Sequence, residues 1–82
     1  MPKPILLYKQ MIMEIEKKVR QNIAARIVEL RNKRGLTQMQ VADKLGIRYQ
    51  NVGVLEQGRS MSLGRLIRLG NVLGFKIEIT EI

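Results

Sequence analysis

The sequence contains no cysteine and no histidine. Without cysteine there is no disulfide and no thiolate metal site. Without histidine the commonest zinc ligand and the commonest general base near neutral pH are missing. Acidic residues are few, seven Asp plus Glu, and scattered, and no glycine-rich loop has the form of a phosphate cradle. These gaps leave nothing on which to build catalysis, so no catalytic residue, cofactor or metal is expected. Long apolar runs are lacking too. No stretch could span a bilayer and no signal peptide is evident, so a cytoplasmic chain without membrane contact is expected.

What is present is basic. Fifteen Lys plus Arg against the seven acids give a formal net charge of +8 over 82 residues. That balance favours a polyanionic partner without selecting DNA over RNA or anionic lipid. Most of the excess lies in residues 1–34, where most basic side chains read as a solvated face. Lys33 and Arg34 are better placed for phosphate contact. The length makes one domain, near the lower limit for a self-sufficient core, so oligomerisation is expected.

Residues 37–58, TQMQVADKLGIRYQNVGVLEQG, organise the chain. Thr37 is a helix N-cap, and Gln40 at the third helical position can complete a capping box. Val41, Ala42 and Leu45 fall on one face at helical spacing. Gly46 supplies a left-handed turn, and Ile47 leads into a second short helix with Val52 and Leu55 inward and Gly58 at its end. Small Ala42 permits close approach of the two helices. On the second helix Arg48, Tyr49, Gln50, Asn51 and Val54 are free to face outward. Several of these can hydrogen-bond, as a helix in the DNA major groove must.

The stretch LRNKRGLTQMQVADKLGIRYQNVGVLEQGR, residues 30–59, resembles the lambda-repressor-like or Cro-like (Xre-type) family of bacterial DNA-binding proteins. Leu36-Thr37-Gln38, Val41-Ala42, Leu45-Gly46-Ile47, Val52, Leu55-Glu56 and Gly58 sit at the family's spacing, and a looser match runs from about residue 20 to 77. The resemblance implies a mostly α bundle of four to five helices. It also implies that Gln38 meets a DNA phosphate, that Tyr49, Gln50 and Val54 read base edges, and that Arg59 and Ser60 belong to a backbone-binding loop. Arg48 and Asn51 are then phosphate or base contacts, and Glu56 pairs structurally with Arg31. The blander alternative for each is a solvated surface residue, or for Tyr49 a contact with its own domain.

Outside the motif, residues 1–4, MPKP, are expected to be frayed or extended. Residues 5–34 keep a helical rhythm of threes and fours through Ile12, Ile15, Val19, Ile23, Ile27 and Leu30. This divides the chain into an N-terminal extension, 1–20, expected helical although ILLY at 5–8 could be a short strand, and a helix-turn-helix domain, 21–74. Ser62 can cap a last helix carrying Leu63, Leu66, Ile67, Leu69 and Leu73, which Gly64 and Gly70 weaken by about 1 kcal/mol each. In residues 75–82 Phe75, Ile77 and Ile79 alternate with polar residues, a strand period. A lone strand leaves its backbone groups unpaired, so pairing across a homodimer is expected, with ILLY as the competing partner. That tail resembles HipB-like antitoxins. The implied function is a repressor that binds a palindromic double-stranded operator, controls its own operon and holds a cognate toxin. A phage-type or restriction-modification controller regulator, or an interaction module with incidental DNA contact, remain as alternatives.

Overall fold

The computed structural model describes residues 5–82, so the expectation for residues 1–4 lies outside the described residues. Four helices follow one another: α1 (Ile5–Lys33), α2 (Gln38–Leu45), α3 (Tyr49–Glu56) and α4 (Leu63–Leu73). The repeating apolar spacing of residues 5–34 resolves into one unbroken helix of 29 residues. ILLY is therefore the start of α1 and not a strand. At 1.5 Å per residue α1 is about 43 Å long, and it runs well past the small globule that its C-terminal half joins.

The core gathers one stripe from each helix. Ile27 of α1, Val41 and Ala42 of α2, Val52 and Leu55 of α3, and Leu66, Leu69 and Leu73 of α4 are buried together. Ile23, Leu30, Leu36, Leu45, Ile47, Met61, Val72 and Phe75 pack around them. Two members of the apolar set on α4 stay outside, since Leu63 and Ile67 are 64% and 53% exposed.

The turn between α2 and α3 follows from local chemistry. The Thr37 hydroxyl accepts from the Gln40 backbone N–H at 3.1 Å, and the Gln40 side chain accepts from the Thr37 N–H at 2.8 Å. Both groups would otherwise be orphan donors of a helix start. At the other end Gly46 takes φ 69°, and the N–H of Ile47 closes back on the Ala42 carbonyl at 3.1 Å. A Cβ at Gly46 would resist that left-handed conformation. The chain thus turns at residues 46–48, and α3 packs against α2 with Ala42 buried in the shared core.

Gly70 does more than weaken a helix. Its Cα lies against the carbonyl oxygen and ring of Phe75, leaving no room for a Cβ, and Phe75 donates its N–H to the Gly70 carbonyl at 3.0 Å. The tail therefore folds back over α4 at this point. Beyond it, residues 75–82 have no regular secondary structure. Phe75 is half-buried on its own domain, while Ile77 and Ile79 are exposed. A strand requires a neighbouring ladder, and the described residues of a single chain supply none.

Candidate nucleic-acid interface

The outward face of α3 and the start of α2 form one continuous surface. Residues 48–50 are exposed at the N-terminal end of α3, Tyr49 half so at 50%. Asn51 and Val54 are partly buried one turn on. The opposite face of the same helix is sealed by Val52 and Leu55, each 1% exposed. Such two-sidedness fixes which residues α3 can offer to a partner. Arg59 and Ser60 follow on the exposed loop after α3, with Arg59 Nη1 donating to the Gln57 side chain at 3.3 Å. That loop begins at Gly58, which is buried at φ 70° with its carbonyl accepting from Arg20 Nε at 3.3 Å.

A polar cluster anchors this surface from behind. Arg31 on α1 forks onto Glu56 at the end of α3, with Nε on Oε2 at 2.5 Å and Nη2 on Oε1 at 3.1 Å. The third guanidinium nitrogen, Nη1, donates to the Leu36 carbonyl at 3.0 Å. The side chains are 15% and 7% exposed, so the two-pronged geometry offsets a substantial desolvation cost. Gln38 joins the cluster by donating Nε2 to Glu56 Oε1 at 3.0 Å. Gln38 is also the first residue of α2, and a helix N-terminus favours an anion. Together these bonds hold α1, α2 and α3 in one arrangement, with Gln38 and Tyr49 on the rim of a shallow depression also lined by Met39.

A model of a helix-turn-helix domain family matches residues 11–80. The chain belongs to that family. A search of curated proteins finds no match. As a helix-turn-helix protein it is a DNA-binding regulator, and no helix among its described residues is long and apolar enough to cross a membrane.

Two features of this helix-turn-helix surface were not visible in sequence. Met39 is 64% exposed beside Gln38 and Tyr49; the available signal was that it falls off the Val41–Ala42–Leu45 stripe. Arg34, exposed and expected at a phosphate, also donates Nε to the Leu73 carbonyl at 3.1 Å. There it satisfies an orphan acceptor at the end of α4 and ties α4 to α1. Lys33 beside it is exposed as well.

Proposed function

We propose that this helix-turn-helix protein is a sequence-specific, non-enzymatic, cytoplasmic transcriptional repressor of the lambda-repressor-like, Xre-type branch. It binds a palindromic operator as a homodimer, represses its own operon, and serves as the HipB-like antitoxin to a cognate toxin. The observation that carries the reading is the clamp behind α3. Glu56 receives both Arg31 and Gln38, so the helix that would enter the groove and the side chain that would meet a phosphate are set by the same carboxylate. In this reading Gln50 bonds adenine, Val54 packs on a thymine methyl, and Tyr49, Arg48 and Asn51 contact sugar, phosphate or base. Arg59 and Ser60 hold backbone.

The dimer in this reading pairs the tails, bringing Ile77 and Ile79 of each copy into an antiparallel ladder. Two helix-turn-helix units related by a two-fold axis then meet half-sites about 34–36 Å apart. Phe75 already packs on its own domain, so the pairing segment begins at Lys76. Removing residues 76–82 should leave the domain folded and abolish cooperative occupancy of two half-sites. Cooperative binding that survived the truncation would take the tail out of the dimer.

Selection of bound DNA from a random pool, with the protein's own promoter included, tests the reading as a whole. A palindromic consensus that occurs in that promoter is expected; recovery of unrelated sequences would sink specific repression. The apolar, exposed first half of α1 favours a second reading, an interaction module whose DNA contact is incidental. That reading expects no enriched sequence at all.

A further inference from the structure

The first half of α1 is an apolar surface that nothing in the described chain covers. Tyr8, Ile12, Ile15 and Val19 are 49–60% exposed, and Leu7 and Met11 beside them are 44% and 46% exposed. The four residues recur at intervals of four, three and four, the spacing of the seam of a two-stranded coiled coil, while Leu7 and Met13 lie off that seam. The seam stops at Asn22, one residue before Ile23 turns onto the core. The helix is already held at its C-terminal half, so pairing along the seam need not also meet the cost of nucleating it.

We infer that this seam pairs with the same segment of a second copy, in antiparallel orientation. The flanking charges select both the occupant and the direction. With Ile12 facing Ile15 of the second copy and Tyr8 facing its Val19, Lys9 lies beside its Glu16, and Glu16 beside its Lys9. Both residues are exposed and on one flank of the seam. Glu16 has only a loose contact within its own chain, 3.8 Å to Arg20. In a parallel pair Glu16 would instead face Met11, and Lys9 would have no acidic neighbour. The segment is thus complementary to its own reverse, which closes a two-fold pair with identical surfaces on both sides. The contact is separate from the tail and does not depend on operator binding. A chain that uses both contacts is linked through two different two-fold axes and assembles beyond the dimer.

The absence of cysteine allows a clean test in the full chain. Ile12→Cys and Ile15→Cys proteins, mixed and mildly oxidised, should give chiefly the mixed 12–15 disulfide. A dominant 12–12 disulfide would mean parallel helices, and yields no better than those of an exposed Gln10→Cys control would mean no pairing; either overturns the inference. In sedimentation, Ile12→Asp combined with Ile15→Asp should weaken one association step at least about 100-fold, because unpaired carboxylates would be buried. The helical circular dichroism of the globule should persist, since Ile12 and Ile15 are 56% and 60% exposed in one chain and lie outside its core. Lys9→Glu alone should weaken the step several-fold, and Lys9→Glu with Glu16→Lys should restore it. A mass unchanged by the double aspartate, or a charge swap that fails to rescue, would exclude this register.

Discussion

The two halves of α1 share one backbone helix and have opposite surroundings. From Ala24 onward the helix contributes Ala24 and Ile27, 3% and 2% exposed, to a packed interior. Before Val19 its isoleucines and methionines are about as bare as a helix leaves them, Ile15 at 60% and Met13 at 64%. Residue type barely differs between the halves. An apolar stripe at helical spacing states that a face wants cover; it does not say whether the cover is the same chain or another.

The largest effect should come from cutting the same residue type in each half. Ile27→Ala should cost about 2–5 kcal/mol in denaturant unfolding, through lost burial and a residual cavity. Ile15→Ala, measured at a concentration where copies are dissociated, should stay within about 0.5 kcal/mol. Equal losses would mean that the first half of α1 packs on the domain after all.

Ion pairs on α1 should divide in the same way. Glu56→Ala should cost about 3 kcal/mol, the low end for a buried pair, because Arg31 keeps some access to water. It should also lower DNA affinity, since Gln38 loses its anchor. Glu29→Ala breaks the Arg26–Glu29 contact, where both side chains are more than 60% exposed, and the melting temperature should hardly move. A Glu56→Ala protein with unchanged melting temperature would show that the clamp does not support the fold.

On α3 the outward face should affect binding and leave stability alone. Gln50→Ala should relax the preference at one operator position by about 1–3 kcal/mol without shifting the melting temperature. Gln38→Ala should weaken binding to every sequence alike. A uniform loss on Gln50→Ala would reassign it to a phosphate.

The smallest contrast lies within α4. Gly64 has open space where a Cβ would sit, whereas Gly70 meets Phe75. Gly64→Ala should stabilise the domain by up to about 1 kcal/mol through helix propensity. Gly70→Ala should destabilise it by about 1–3 kcal/mol, because the tail must shift to make room. Thermal melts of the two variants should move in opposite directions, and a shift in the same direction would mean that the tail does not rest on α4.

What could be read without the structure was short in range. The capping box at Thr37 and Gln40, the left-handed turn at Gly46 and the buried stripe Val41–Ala42 each depend on residues within about one helical turn, where spacing alone dictates geometry. The helix-turn-helix was legible for that reason, and so was the outward character of residues 48–50. The meeting of Arg31 with Glu56 was open only to resemblance, since 25 residues separate them. Gln38 as a third member of that cluster and Arg34 on the Leu73 carbonyl had no local sign at all. They depend on how four helices lean together, which is settled by the packing of many side chains at once. The tail marks the same limit: its alternation is a property of the sequence, but a strand exists only where a second backbone lies beside it, and the described residues of one chain do not provide that neighbour.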